Sequence, residues 1–193
     1  MELVRVRVKS STLLSDDWFV LKKHHFEYLR SDGSWQEQTR ETYDRGNGAT
    51  ILPYNRPNKS VVLVKQFRLA AYVNGHDGFL IEACAGLLDS DDPDTAIKRE
   101  LAEEAGIEVK GIEKLFDCFM SPGSVTERLH FYIGEYEKRE IATRGGVDGE
   151  DIEILELPFE KALSMVKNGE IMDAKTIMLL QYLQLHVFNK SEN

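Results

Sequence analysis

Cysteine is scarce in this 193-residue chain, which contains only Cys84 and Cys118. Two cysteines cannot form a disulfide framework, and neither lies in a CxxC motif or a Cys/His cluster typical of zinc sites. We therefore expect two reduced, structural thiols.

Apolar runs such as 61–64 are far shorter than the ~20 residues of a membrane helix. The first ten residues also lack an apolar signal core, so we expect a cytoplasmic protein that does not bind membranes.

Positive charge is also limited, because 24 Lys and Arg residues face 33 Asp and Glu residues for a formal net charge of -9. This balance has the wrong sign for binding a phosphate backbone, so nucleic acid is not an expected partner. An acidic protein can still bind an anionic ligand if a bound cation reverses the local field. The five histidines have no metal-binding or triad spacing, and neither a GxSxG elbow nor a P-loop is present.

The first third of the chain is rich in residues that favour strands, and two turn signals, at 31–34 and 55–58, divide it. These patterns predict two hairpins. The predicted strands are 3–8, 18–29, 35–43, 48–54, 61–67, 112–119, 129–136 and 152–157, and the predicted terminal helices are 158–168 and 175–188. We therefore predict an α/β (α+β) fold in which a mixed sheet packs between helical layers.

One further helix is predicted from residue 92, where Asp92 is a suitable N-cap and Pro93 suits the first turn. Ile97, Leu101 and Ala105 then recur every four residues, which is typical of a helix with one buried face. Gly106 is a natural C-terminal stop.

The opposite face of this helix carries Glu100 and Glu104 one turn apart, with Glu103 beside them. Such crowded carboxylates repel one another, and a hard cation such as Mg²⁺ or Mn²⁺ would relieve that repulsion. Arg99 lies four residues before Glu103 and can hold its carboxylate. The alternative is a solvated charged face, which is the commoner meaning of a glutamate-rich helix. Glycines at 86 and 106 favour a built site.

Together these residues resemble the Nudix box, in which a glycine and a loop acid precede Arg-Glu-apolar-x-Glu-Glu-x-Gly-apolar. The chain departs from the box in having Asp as the loop acid and in being one residue short between loop and helix. Both departures lie in the loop and leave the carboxylate face intact. The matching residues are Gly86, Asp92, Arg99, Glu100, Leu101, Glu103, Glu104, Gly106 and Ile107.

The resemblance extends along the chain and is greatest to the GDP-mannose pyrophosphatase branch of the family, a sister of the ADP-ribose pyrophosphatases. The supporting segments are 43–50, 65–75, 83–89, 119–127, 149–158 and 173–176. It implies a Nudix-type α/β/α sandwich at 46–193, preceded by a β-rich region at 1–45 that forms a homodimer and part of the nucleotide site.

For the metal centre, the resemblance implies four ligands: the carbonyl of Ala85 and the carboxylates of Glu100, Glu104 and Glu150. It also implies that Glu100, Glu103, Glu104 and Glu150 are the catalytic acids. The general base is left open among Asp148, Glu150, Glu127 and Glu103.

For the substrate, the resemblance implies contacts from both parts of the chain. Trp18 would stack on the base unless it is core, and Arg40 and Glu41 would contact the nucleotide unless they form a cross-strand ion pair. Arg68 and Lys175 would bind phosphate or sugar unless they are merely surface residues. The implied contacts are Trp18, Arg40, Glu41, Arg68, Ala85, Gly86, Glu104, Glu127, Gly149, Glu150 and Lys175.

The expected activity is Mg²⁺-dependent hydrolysis of the diphosphate bond of a nucleoside diphosphate sugar. The resemblance points to GDP-mannose, which would give GMP and mannose 1-phosphate. One alternative is an ADP-ribose or broader sugar-nucleotide pyrophosphatase, and a more distant one is a Nudix ligand sensor without turnover.

Overall fold

The computed structural model describes residues 4–88, 91–137, 142–146 and 151–188. The chain divides into two compact units. The first consists of Met1–Asn47 with Phe119–Arg128, and the second of Gly48–Cys118 with Leu129–Asn193.

The first unit is built on a three-stranded antiparallel sheet in the order β1-β2-β3. Its strands are β1 Val6–Asp16, β2 Val20–Leu29 and β3 Trp35–Asp44. The predicted hairpin between β2 and β3 is confirmed, and Asp32 stabilises its turn by accepting hydrogen bonds from the backbone N–H and hydroxyl of Ser34. The predicted strand 3–8 is too short, because β1 stays paired with β2 through two bulges as far as Asp16.

The segment Phe119–Arg128 is fastened to the end of β3 within the same unit. The Tyr43 N–H donates to the carbonyl of Ser124 at 2.8 Å, and the Thr126 N–H donates back to the carbonyl of Tyr43 at 3.1 Å. The hydroxyl of Thr126 also donates to Asp44. The bonds of Thr126 join residues that lie 82 and 83 positions apart in the sequence.

The second unit contains an eight-stranded sheet whose main path is β10-β11-β5-β4-β9-β8, with β6 paired to β5 and β7 paired to β4. β4 runs parallel to β9 and antiparallel to β5 and β7, so the predicted mixed sheet is confirmed. The strands are β4 Gly48–Asn55, β5 Ser60–Phe67, β6 Phe79–Glu82, β7 Cys84–Leu87, β8 Val109–Phe119, β9 Arg128–Tyr136, β10 Arg144–Gly145 and β11 Ile152–Pro158.

Four helices accompany this sheet among the described residues: α1 Leu69–Val73, α2 Pro93–Ala105, α3 Phe159–Asn168 and α4 Ala174–Leu183. The predicted helix 175–188 ends earlier, at Leu183, and continues as a π-helical turn at Gln184–Phe188. The short elements α1, β6, β7 and β10 were not predicted, because segments of two to five residues carry too little periodicity.

The core of the second unit lies around β4, in which all eight residues are buried. A strand buried at every position needs cover on both faces of its sheet, unlike a strand with one solvated face. Both α2 and α4 contact β4. Ala49 and Ile51 of β4 share one buried cluster with Ile97 and Leu101 of α2. None of the described helices is long and apolar enough to span a membrane.

Candidate active site

The site is organised by α2, whose ends lie where the sequence predicts. Asp92 caps the helix by accepting hydrogen bonds from the backbone N–H groups of Asp94 and Thr95, and Gly106 ends it in the left-handed conformation. Ile97, Leu101 and Ala105 are buried, as predicted. Their burial fixes the rotation of α2 and hence the direction of its carboxylates.

Glu100 packs directly against Gly86 of β7. A Cβ atom added to Gly86 would lie 2.1 Å from the carboxyl carbon of Glu100 and 2.4 Å from one of its oxygens. Any larger side chain at position 86 would therefore displace the carboxylate. The glycine before the helix is required by this close approach, and the packing places Glu100 against the backbone that follows Ala85.

Glu104 is the most enclosed of the three acids and is only 7% exposed. Its Oε2 accepts a hydrogen bond from the backbone N–H of Ala85 at 3.3 Å. Burial raises the pKa of the neighbouring Cys84 thiol well above its ordinary value, and the negative charge of Glu104 raises it further. Cys84 is therefore an inert thiol, as the sequence predicts.

Arg99 contacts the same group of acids. Its Nη1 lies 3.1 Å from Glu100 and 3.5 Å from Glu103, and its Nε lies 3.5 Å from Asp91. The predicted contact with Glu103 is confirmed, although Arg99 is closer to Glu100. A single guanidinium therefore restrains two acids of the helix.

This cluster offers oxygen ligands, which suit a hard divalent cation. No three acidic, histidine or cysteine side chains form a metal-binding group within residues 4–88, 91–137, 142–146 and 151–188. The four predicted metal ligands do not require three such side chains within these residues. Ala85 would bind through its carbonyl, and Glu150 lies outside the described residues. The close approach of Glu100 and Glu104 to Ala85 and Gly86 therefore fits the implied cation.

Gly145 of β10 contacts the C-terminal turn of α2. A Cβ atom at Gly145 would overlap the backbone carbonyl oxygen of Glu104, and the N–H of Gly146 donates to the carbonyl of Glu103 at 3.2 Å. Residues 144–146 are thus joined to the carboxylate helix. The predicted residues Asp148, Gly149 and Glu150 follow in the sequence but lie outside the described part of the chain.

A second charged group of this unit is centred on Glu82, at the end of β6. Arg68 donates to both of its carboxylate oxygens, from Nε and from Nη2, each at 2.9 Å. Lys175 of α4 donates to Oε2 at 2.7 Å. Burial alone would raise the pKa of Glu82, but these two cations outweigh burial and lower it. The structure therefore brings together two of the predicted phosphate-binding residues, Arg68 and Lys175.

The start of α4 holds this group in place. Asp173 caps the helix by accepting from the N–H of Thr176, and it lies 3.0 Å from the ammonium of Lys175. The hydroxyl of Thr176 accepts a hydrogen bond from the N–H of Ala83 at 2.7 Å. Because Ala83 directly follows Glu82, this bond ties the carboxylate and Lys175 to one local framework.

Three predicted nucleotide contacts belong to the first unit. Trp18 is 82% exposed and stacks on Phe19 with 5.0 Å between ring centroids, so its indole is not part of a hydrophobic core. Arg40 and Glu41 are exposed on β3. Neither forms an ion pair with another residue of the part that the structure describes, although Glu41 lies opposite Lys23 in the sheet register.

Glu127 also belongs to the first unit, where it lies 3.5 Å from Nε of Arg45. The adjacent bonds of Thr126 to Tyr43 and Asp44 fix this stretch. Glu127 is therefore held at the end of β3 rather than on an unrestrained loop.

Family models match nearly the whole chain. A NUDIX domain model matches residues 44–180, and a model described as the GDP-mannose pyrophosphatase NudK N-terminal domain matches residues 5–43. The chain belongs to the Nudix family. It is accordingly a Nudix hydrolase, a class that generally uses divalent cations.

Curated Nudix relatives cover nearly the same length. A protein of Klebsiella pneumoniae named GDP-mannose pyrophosphatase is 56% identical over 183 residues, covering 94% of this chain and 92% of the relative. A protein of the same name from Yersinia enterocolitica is 52% identical, covering 95% and 97%. The crystal structure of an ADP compounds hydrolase matches 97% of this chain and 98% of its own with a TM-score of 0.71. Its identity is 14%, so that likeness concerns the Nudix fold alone.

Sequence reasoning missed Glu82, Asp173 and Arg45 as parts of these charged groups. Glu82 carried a usable signal, because it is the one charged residue in the apolar stretch 79–88. Asp173 carried a weaker one, since an acid before a helix is usually read only as a cap. Arg45 stands among other polar residues and gave no signal.

Proposed function

We propose that this chain hydrolyses the diphosphate bond of a nucleoside diphosphate sugar, with GDP-mannose as the preferred substrate and GMP and mannose 1-phosphate as products. One observation carries the chemistry: Glu100 and Glu104 both reach the Ala85–Gly86 backbone from α2. The name of the relatives, at 52% to 56% identity, supports the choice of GDP-mannose.

We further propose that Mg²⁺, for which Mn²⁺ can substitute, is held by the carbonyl of Ala85 and the carboxylates of Glu100, Glu104 and Glu150. A bound divalent cation neutralises the diphosphate and lowers the pKa of bound water. The acidic helix then favours an anionic substrate instead of repelling it. Gly86 and Gly149 would allow close backbone approach.

Arg68 and Lys175 are proposed to bind the phosphate oxygens and to stabilise the charge that builds on them. Support comes from their shared hydrogen-bond acceptor, Glu82, which brings the two cations together. The general base is proposed to be Glu150, with Asp148, Glu127 and Glu103 as the other candidates. Changing each acid singly to its amide identifies the base by the largest fall in kcat.

The first unit is proposed to select the nucleotide and to form a homodimer. Trp18 offers an exposed indole for stacking on the base, and Arg40 with Glu41 offers hydrogen bonds to its edge. Glu41 can accept from the N1 and N2 donors of guanine, which adenine lacks. The exposed apolar residues of β1 support an interface with a second copy. They are Val6, Val8, Leu13 and Leu14.

Sedimentation of the wild-type protein and of a Val8→Asp variant tests the dimer. We expect a wild-type dimer, and we expect the charge at position 8 to weaken dimerisation and lower activity. A Thr12→Asp variant places the same charge on β1 without removing an apolar side chain. A wild-type monomer with full activity would contradict this part of the proposal.

Chromatographic identification of the products tests the reaction. GDP-mannose and ADP-ribose are each incubated with the protein and Mg²⁺ in a buffer at the pH and ionic strength of the cytoplasm. We expect GMP and mannose 1-phosphate, and no turnover in EDTA. Release of GDP with free mannose would show a different bond cleavage. A faster reaction with ADP-ribose would support the alternative substrate and overturn the preference for GDP-mannose.

A further inference from the structure

We propose that Glu82 is a positioning residue for hydrolysis, which aims Arg68 and Lys175 at the phosphates of the bound substrate. The proposal rests on the function stated above and assigns a role to a residue outside the metal-binding and substrate-binding sets. Glu82 acts through its two cationic partners.

The three charged side chains differ in burial. The side chain of Glu82 is 2% exposed, that of Lys175 is 11% exposed, and that of Arg68 is 40% exposed. A buried carboxylate is costly unless it is paired and hydrogen-bonded, and Glu82 meets both conditions. These contacts therefore link the buried carboxylate of Glu82 to the guanidinium of Arg68, which is partly exposed to solvent.

Both cations have more N–H donors than Glu82 engages. Arg68 uses Nε and Nη2 for the two oxygens of Glu82, so the planar guanidinium is held as a fork and Nη1 points away from that pair. Lys175 has three N–H donors and donates to Oε2 of Glu82, while its ammonium also lies 3.0 Å from Asp173 as an ion pair. Each cation is thus oriented by carboxylates while keeping donor capacity for a phosphate oxygen.

Strand pairing and the first turn of α4 hold the three side chains in place. Glu82 ends β6 and Arg68 directly follows β5, and the two strands pair through Val64 and Glu82. Lys175 is held by α4, whose first turn is bonded to Ala83 through Thr176. The three side chains come from separate elements, and Arg68 and Lys175 both contact the carboxylate of Glu82. Its loss would free both cations at once, and correct orientation is a large part of catalytic advantage.

The test compares Glu82→Gln with Glu156→Gln. The second variant makes the same change at another hydrogen-bonded glutamate of the second unit, one that contacts Ser60 and Tyr136 instead of Arg68 or Lys175. We expect Glu82→Gln to lower kcat/KM for GDP-mannose by about thirtyfold, mainly through kcat, because the charge on the phosphates is greatest in the transition state. Glu156→Gln is expected to change kcat/KM less than twofold.

A double-mutant cycle with Lys175→Met separates positioning from a purely structural role. If Glu82 acts through its partners, its substitution costs about fivefold when Lys175 is already absent, since only Arg68 is then left to misalign. Glu82→Asp retains the charge and is expected to recover part of the rate. An equal loss from Glu82→Gln in the wild type and in Lys175→Met would overturn the proposal, as would a loss of less than twofold.

Two further readouts keep the result interpretable. Circular dichroism and thermal unfolding establish whether each variant is folded. If Glu82→Gln is not folded, Glu82→Asp replaces it in the double-mutant cycle. Calorimetric binding of GDP in EDTA measures the phosphate affinity of the two cations without turnover, and we expect Glu82→Gln to weaken that affinity about threefold. If the wild type hydrolyses ADP-ribose instead, GDP-mannose is wrong as the substrate, and the same variants measured with ADP-ribose still decide the role of Glu82. Unchanged GDP affinity together with unchanged kcat/KM overturns that role alone.

Discussion

β1 of the first unit and β4 of the second are both strands of eight residues or more, but they differ completely in solvent exposure. All eleven residues of β1 are exposed, whereas all eight residues of β4 are buried. β4 contacts α2, and that packing fixes the direction of the acidic face. β1 instead presents valine and leucine side chains to solvent.

The difference teaches where each kind of function can be built. Reacting groups must be held within a fraction of an ångström, which a packed core provides for Glu100 and Glu104. Recognition of a base or of a second chain needs accessible side chains, which the first unit provides at Trp18 and along β1. Substitutions in the second unit are therefore expected to lower kcat, and those in the first to raise KM.

The largest effect is expected for Glu104→Gln, which replaces an acid of the core-held helix by its amide. Losing one carboxylate of the proposed metal site is expected to lower kcat roughly a thousandfold, about 4 kcal/mol of transition-state stabilisation. Steady-state kinetics with GDP-mannose and Mg²⁺ measure this loss. Near-normal turnover by Glu104→Gln would contradict the assignment of α2 as the catalytic helix.

A smaller loss of kcat, about a hundredfold, is expected for Gly86→Ala. The added methyl group would meet the carboxylate of Glu100 at 2.1 Å, and Glu100 can move because its side chain is flexible. Stability is expected to change little, with a melting temperature within about 3 °C of the wild type. Gly111→Ala is the matched control, because a Cβ added there meets no atom within 4 Å among the described residues other than its two chain neighbours. Equal kinetics for the two variants would show that Gly86 is not required by the site.

In the first unit, Trp18→Ala is expected to raise KM about tenfold with little change in kcat. Stacking of a base on an aromatic ring contributes about 1–3 kcal/mol, and Trp18→Phe is expected to retain most of it. Trp35→Ala is the control, because that indole is already covered by the guanidinium of Arg7. A fall in kcat without a rise in KM for Trp18→Ala would contradict the proposal that the first unit acts in binding and the second in catalysis.

The smallest effect concerns the pH dependence of stability. The pKa of Glu82 is lower in the folded protein than its ordinary value of 4.5, so the charged form stabilises the fold above that pH. This contribution is lost as the pH falls through the lowered pKa. We expect the difference in urea midpoint between wild type and Glu82→Gln to be constant from pH 7 to about 5 and to shrink below about 4.5. A difference that grows in acid would show the opposite pKa shift.

The sequence predicts much of the fold because its strongest signals are local. Asp92, Pro93 and Gly106 specify the two ends of α2, and the Asp-Gly turn specifies the hairpin of β2 and β3. The full length of β1 was missed because its second half, 9–16, lacks strict alternation and depends on pairing with β2. Pairing partners at a distance are a tertiary property.

The carboxylate helix could likewise be predicted, but the network around Glu82 could not. Glu82 lies 14 positions from Arg68 and 93 from Lys175, and only the packed sheet and α4 bring them together. The enclosure of Glu104 is a similar case. Helical spacing predicts that Glu104 shares a face with Glu100, whereas its burial depends on the neighbouring β7.

One measurement tests the division of work between the two units most directly: ³¹P NMR of equal amounts of GDP-mannose and ADP-ribose in one tube with Mg²⁺. We predict that wild type consumes GDP-mannose first, that Glu104→Gln consumes neither, and that Glu41→Gln consumes both at more similar rates. Preferential loss of ADP-ribose, or an unchanged preference in Glu41→Gln, would contradict the role of the first unit. Rapid turnover by Glu104→Gln would contradict that of the second.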